Sequence, residues 1–273
     1  MKAFTLTSVL LAACCMAGSA FAGNLTDKIA AKYKVKSTDV WYGGQRTVFD
    51  FQGFDAWVVE PPKDVQPLAG NPWTWTMQWR TAFVPRTSVP RLLKLGYHHV
   101  SVDIFALRMD AEGLKVAKAF QDFLVNDLGF APKARLIGMS WGGFFSTRYA
   151  ANYPESVLKI YYDAPLMNFT KFGKTPTKDL IGPWAERVPE GGNWDNDPEM
   201  PINMAAKIAQ AKIPVLLLYG GVDPVVPPAK NCELFIPRFK AAGGDITVVR
   251  RGAYAHHPHG VEESENTIIN FFK

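Results

Sequence analysis

The chain has 273 residues, 48% of them hydrophobic and 20% charged, which is enough apolar content for one full core and too much for a disordered segment. Its formal net charge of +5 carries no Lys/Arg run, so nucleic acid is not an expected partner. Three cysteines without a CxxC pair or a Cys/His ligand spacing exclude a disulfide framework and a structural zinc site.

The opening stretch, MKAFTLTSVLLAACCMAGSAFAGN, reads as a secretory signal over residues 1–22. Lys2 supplies the positive start, Phe4 to Met16 the apolar stretch, and Ala20-Phe21-Ala22 a small-residue cleavage site before Gly23. That apolar stretch is too short to span a bilayer as an anchor. Leu11-Ala12-Ala13-Cys14 also resembles a bacterial lipobox, which would leave a lipid on Cys14. The Ala-Phe-Ala site lies at the better distance from the start. A mature domain over 23–273, secreted or periplasmic, is therefore expected, with a lipoprotein held through Cys14 as the alternative. Membrane contact is expected only in that second case. Cys232 is then the single cysteine of the mature chain and has no internal partner.

Further along, "QRTVFDFQGFDAWVVEP" alternates apolar and polar residues around Gln52-Gly53, the pattern of an antiparallel hairpin. Strands are predicted at 71–79 ("NPWTWTMQW") and 98–105 ("HHVSVDIF"), with a helix ending at Gly96 between them. Apolar residues at Leu114, Ala117, Phe120 and Leu124 mark a helix over 111–127. "ARLIG" (134–138) is the next strand, and "WGGFFSTRYAANYP" a helix stopped by Pro154. "VLKIYYDAP" (157–165) follows as a strand. Residues 166–204 lose periodicity and collect Gly, Pro and Trp, so a loop or small lid is expected there. Helices at 204–211, 229–241 and about 261–272 then alternate with strands at 215–221 and 246–250. Strands alternating with helices imply βαβ crossovers and a mostly parallel sheet with helices on both faces, and the early hairpin forms an antiparallel edge.

Within "RLIGMSWGGFF", Ser140 stands between Gly138 and Gly142. A Gly-x-Ser-x-Gly match arises by chance in about one chain in ten of this size, so its setting decides its meaning. Here a strand precedes it and a helix follows, the arrangement in which a serine sits on a tight turn with its hydroxyl exposed. Glycines at both flanks leave room where helix and strands close around the turn. The Trp141 N–H, at the helix start, would face an oxyanion.

A serine hydroxyl needs a base. Of five histidines, the cluster "GAYAHHPHG" follows the last strand, and His256 is the first to reach the carboxyl edge of the sheet. His256 is the candidate base; His257 and His259 are candidates for shaping the loop or the pocket. The acid is expected from "VLLLYGGVDPVVPP", where Asp223 follows a strand, with Asp163 as the rival position. The histidine loop lacks complementary ligands at helix or hairpin spacing, so no metal is expected. An activated serine needs no cofactor either.

At these residues the chain resembles the α/β-hydrolases: "GMSWGG", "YGGVDPVVP" and "AHHPHG" match the elbow, acid loop and histidine loop of that superfamily. "GNPWTW", "RTAF", "YYDAP" and "HHPHG" are similar to small bacterial hydrolases described as prolyl-oligopeptidase-like or esterase-like. In many of those an arginine follows the serine; Trp141 stands here instead, so no substrate is inferred from that position. The resemblance implies the α/β-hydrolase fold and a serine esterase acting through an acyl-enzyme, with a peptidase of prolyl-oligopeptidase type second. A binding protein that kept the fold and lost the chemistry is the alternative from another class.

The second oxyanion N–H is expected near Gln78 to Arg80. Trp73 and Trp75 are expected in the core. Trp79 and Trp141 would face the cleft, where they can stack on a sugar or aryl group, and Trp184 and Trp194 would add a lid surface. A small-molecule or carbohydrate ester is the expected substrate.

Overall fold

The computed structural model describes residues 25–273, so the predicted signal segment and the Cys14 alternative lie outside the described residues. The first elements are set by two tight turns. Strand β1 (Val35–Trp41) turns through Tyr42-Gly43 into β2 (Gly44–Phe51), which turns through Gln52-Gly53 into β3 (Phe54–Pro62). At the second turn both residues have positive φ, 54° and 89°, the pairing of a two-residue hairpin in which Gly53 avoids a Cβ clash. The Asp50 carboxylate caps that turn by accepting the Gly53 N–H at 2.7 Å. The predicted hairpin is present, and it is widened to three strands. The sequence reading missed β1 because its residues are almost all exposed and lack an apolar face. It also missed α1 (Leu25–Ala30).

From β3 onward the chain alternates strand and helix. β4 (Trp73–Gln78), α2 (Val89–Lys94), β5 (His98–Val102) and α3 (Ala111–Asn126) come first. β6 (Ala134–Met139), α4 (Trp141–Asn152), β7 (Val157–Asp163) and a short α5 (Lys178–Ile181) follow. The chain closes with α6 (Pro201–Gln210), β8 (Val215–Gly220), α7 (Cys232–Ala241), β9 (Ile246–Arg251) and α8 (Thr267–Phe272). The nine strands form one sheet in the order β1-β2-β3-β5-β4-β6-β7-β8-β9. Pairing is antiparallel from β1 through the β3–β5 contact and parallel from there to β9.

Successive strand residues feed opposite cores. Leu136, Tyr162 and Leu217 pack with α3, α4, α6 and α7, whereas Ile137, Tyr161 and Leu216 pack with α2 and α8. That is why these strands read as unbroken apolar runs. Trp73 and Trp75 are buried in the first of these cores, as expected.

Several boundaries differ from the sequence reading. β5 ends at Val102: the Asp103 N–H still reaches the Asp55 carbonyl at 2.8 Å, and the chain then enters a 3-10 turn at Phe105–Leu107. α6 starts at Pro201, inside the segment expected to be irregular, with proline in the first turn, where its missing N–H costs nothing. α8 starts only at Thr267, because the carbonyls of Glu263 and Glu265 are held outside the helix by the Arg91 guanidinium. Residues 166–200 are mostly irregular, broken by three short 3-10 turns and α5. Trp184 and Trp194, expected on a lid surface, are buried instead. They close edge-on against Phe169, itself stacked on Phe144 of α4, so the segment is seated on the core.

Candidate active site

β4 hands the chain through α2 to β5 on one side, while β6 hands it through α4 to β7 on the other. The winding reverses between β4 and β6, and a crevice opens beyond their carboxyl ends, where α/β sheets hold ligands. Ser140 sits at that point, between the end of β6 and the start of α4. Its backbone is at φ 51°, ψ −119°, outside the regions a side chain favours, and holding such a residue costs about 1–3 kcal/mol. Three backbone bonds hold it. Ser140 N–H donates to the Asp163 carbonyl at 2.9 Å, and the Ser140 carbonyl accepts from Gly143 at 2.9 Å and from Leu166 at 2.8 Å.

The flanking glycines are required by close approach. A Cβ on Gly142 would lie 2.2 Å from the Gln78 carbonyl oxygen, and one on Gly138 would lie 2.7 Å from Ser146 Oγ. The Gln78 backbone, the carboxyl end of β4, thus rests directly on the elbow. Trp141 is the first residue of α4, so no carbonyl four residues earlier in the helix takes its N–H.

Loops after β8 and β9 bring the other two predicted residues to Ser140. His256 Nε2 lies 3.0 Å from Ser140 Oγ, and His256 Nδ1 lies 2.6 Å from Asp223 Oδ2. All three side chains are buried, with Ser140 the most accessible at 7%. The other oxygen of Asp223 accepts the N–H groups of Val225 and Val226, each at 2.8 Å. Burial pushes the Asp223 carboxyl pKa up, but the hydrogen bonds from His256, Val226 and Val225 outweigh it. The group titrates below its ordinary range. An ionised Asp223 can only accept, so Nδ1 of His256 carries hydrogen and Nε2 presents its lone pair to the serine.

Asp163 takes a different partner. Its carboxylate is wholly buried and accepts His259 Nδ1 at 2.8 Å, Gly260 N–H at 2.7 Å and the Tyr161 hydroxyl at 2.6 Å, with an Arg251 nitrogen at 3.5 Å. His259 Nε2 is buried with no hydrogen-bond partner among the described residues. His257 is exposed and stacks on Phe83. Nitrogens of His256, His257 and His259 lie within 4.8 Å of one another, but both ring nitrogens of His256 are engaged, by Asp223 and by Ser140.

A cavity of about 480 Å³ opens over Ser140. Trp79, Phe83, Trp141 and Phe172 give it an aromatic wall, and Leu166, Lys171 and Leu180 close it from the 166–200 segment. Trp79 is 38% exposed and packs on Phe105 at 4.6 Å between ring centres; Trp141 packs edge-on to the same ring. Both tryptophans therefore line the cleft, as the sequence suggested. Lys171 is the cation on its wall; its ammonium bonds the Val225 carbonyl and lies over the Phe172 ring. Burial lowers the Lys171 pKa. The sequence points to neither Lys171 nor Phe83, because a lysine and a phenylalanine in irregular segments carry no spacing signal; it offers Asp163 as the rival acid and His259 as a loop or pocket residue, without pairing the two. A depression of similar volume, about 510 Å³, lies at the β1–β2 edge around Thr38, Val40 and Lys63, away from Ser140.

Known proteins repeat this architecture. A family model for the α/β-hydrolase fold matches residues 108–181, which contain α3, the elbow and β7. A puromycin-hydrolyzing peptidase of Mycobacterium tuberculosis superposes with a TM-score of 0.61 at 17% identity, over 86% of this chain and 38% of its own. Dipeptidyl peptidase 4 of Porphyromonas gingivalis gives 0.58 at 15% identity, over 84% and 34%. An S-formylglutathione hydrolase of Agrobacterium tumefaciens gives 0.57 at 17% identity, over 82% of this chain and 92% of its own. The chain thus spans well under half the length of the two peptidases. No curated protein matches it by sequence. The chain has the α/β-hydrolase fold.

Proposed function

We propose that this α/β-hydrolase-fold chain is a serine hydrolase that cleaves carboxylic esters through an acyl-enzyme on Ser140. The observation that carries the reading is the unbroken hydrogen-bonded series Asp223–His256–Ser140, at 2.6 and 3.0 Å, on the floor of a cavity. His256 Nε2 takes the hydroxyl proton as Ser140 Oγ attacks the ester carbonyl. The charged Asp223 holds the Nδ1–H tautomer and stabilises the imidazolium. The carbonyl oxygen gains negative charge near the start of α4, where the Trp141 N–H and the helix dipole favour it. His256 then returns the proton to the departing alkoxide. A water repeats the sequence in reverse roles to free the acid.

A cavity of this size with aromatic walls suits a short acyl group and a sugar or aryl alcohol, the substrates that Trp79 and Trp141 can stack against. The peptidases among the structural neighbours make amide cleavage the second reading. We further read the chain as exported, on the residue pattern of 1–22. Among the described residues no helix is long and apolar enough to cross a membrane. Mass analysis of the mature N-terminus tests the export reading, with Gly23 first for soluble export and a lipid on Cys14 for anchoring.

The activity is tested by hydrolysis of short-chain aryl esters beside Ser140→Ala, His256→Ala and Asp223→Ala. Removing either of the first two lowers kcat by about three orders of magnitude or more. Undiminished activity in Ser140→Ala would overturn the assignment, and a peptide panel then separates ester from amide cleavage. Absence of both activity and labelling by a covalent serine probe points to a binding protein of the same fold.

A further inference from the structure

His259 belongs to the cavity wall and has no role in the proton path. Its Nδ1 faces Asp163 at 2.8 Å, and Asp163 also accepts from the Gly260 N–H and the Tyr161 hydroxyl. A carboxylate accepting three hydrogens requires hydrogen on Nδ1 of His259, so in the neutral ring Nε2 carries the lone pair. His259 lines the cavity with a side chain 1% exposed, and no described residue donates to its Nε2. A buried acceptor left empty is unfavourable, so the site is built for a donor that arrives from outside.

The position says which part of the substrate brings it. The His259 ring stands edge-on to that of His256 with centres 4.7 Å apart. His256 hands its proton to the leaving group, so His259 lies on the leaving-group side of Ser140. Phe83 stands edge-on to His259 at 5.2 Å and covers the apolar face of whatever is held there.

We propose that His259 is a specificity residue whose Nε2 accepts a hydrogen bond from a free hydroxyl next to the ester oxygen of the leaving alcohol. The substrates are thus partial esters of a polyol or sugar. This rests on the serine-esterase reading above. Lys171 and the exposed His257 are the other titratable groups on the cavity wall, and His257 makes edge contact with His259 at 4.9 Å.

The test pairs 2-hydroxyethyl acetate with 2-methoxyethyl acetate, in which a methyl group replaces the donor hydrogen, and adds an aryl acetate as reference; the ratio in His259→Phe measures the effect of the methyl group itself. The wild-type protein is expected to favour the hydroxy ester in kcat/KM by about three- to tenfold, the loss that follows removal of one neutral hydrogen bond. His259→Phe is expected to bring that ratio to about one, and His259→Gln, which offers a carbonyl oxygen, to restore part of it. Equal rates for the two esters in the wild-type protein overturn the inference, and this readout does not depend on any variant folding. A preference that survives in His259→Phe overturns it as well. So does a Ser140-dependent rate on a peptide anilide above that on both alkyl esters. Aryl acetate hydrolysis that needs Ser140, without the hydroxyl preference, leaves the serine-esterase reading standing and removes only this inference. No Ser140-dependent hydrolysis of any ester removes both.

Discussion

Lowering the pH from about 7.5 to about 5 should weaken the fold through two histidines that play no part at Ser140. His98 and His99 lie on β5, buried to 4% and 1% exposure. His99 meets Thr74 Oγ1 at 2.8 Å through Nδ1 and stacks on Trp41, and His98 sits against Phe130; among the described residues, His99 Nε2 and His98 Nδ1 have no hydrogen-bond partner. Burial lowers the His98 pKa to about 4 and that of His99 to about 3. In the unfolded chain both titrate near ~6.5, so below that pH the unfolded state binds more protons and stability falls with pH. At about pH 5 the folded state keeps both rings neutral, and each unfolded ring has gained about 1.5 pH units of protonation, or about 2 kcal/mol. Together the pair costs about 4 kcal/mol, a large part of the stability of an ordinary domain. The loss is complete once the pH passes the lower folded value. Urea unfolding followed by tryptophan fluorescence at both pH values gives the difference directly. Carboxylates add their own acid dependence, so the informative number compares proteins: His99→Phe should shrink the loss between the two pH values by about 2 kcal/mol, whatever its own stability. An unchanged loss in His99→Phe would refute the reasoning.

Four other outcomes are expected of the active site and its surroundings. Asp223→Asn keeps the size of the acid and loses the charge and the enforced His256 tautomer, so kcat on aryl esters should fall by about three to four orders of magnitude while KM moves little. Trp79→Ala removes an exposed aromatic wall that lies outside the hydrogen-bonded Asp223–His256–Ser140 series; KM for aryl esters should rise by about three- to tenfold with kcat nearly kept, seen in steady-state kinetics. Gly142→Ala drives a Cβ onto the Gln78 carbonyl at 2.2 Å, with no flexible side chain to yield, so the protein should lose about 2–4 kcal/mol in denaturant and also its labelling by a covalent serine probe. Cys232 is free, 2% exposed and has its thiol pKa pushed up by burial. In protein beginning at Gly23 an aromatic disulfide reagent should therefore find no thiol until the chain is unfolded.

Much of the fold was legible because strands buried on both faces leave unbroken apolar runs, as at Val215 to Leu218, and the helix over 111–126 leaves a clean stripe. β1 was illegible for the opposite reason: an edge strand exposed along its length needs no apolar residues. The Ser140, Asp223 and His256 positions could be picked because each follows a strand, and a sheet of this topology delivers strand ends to one edge. Sequence favours Asp223 over Asp163 by chain order together with its Gly-Gly loop, and the geometry pairs Asp223 with His256 and Asp163 with His259. Trp184 and Trp194 misled because an irregular segment was equated with a surface. They are the apolar anchors by which a stretch with little regular structure attaches to α4, and composition cannot tell an anchor from an exposed platform.

Asp163 joins two parts of the site that arrive from distant stretches of sequence. Its carbonyl oxygen takes the Ser140 N–H, and its carboxylate takes His259 and the Gly260 N–H. The nucleophile's turn and the histidine loop are thereby pinned to one residue at the end of β7, so thermal breathing of the sheet carries them along together and their separation is conserved as a unit. The acid loop has no share in that pin.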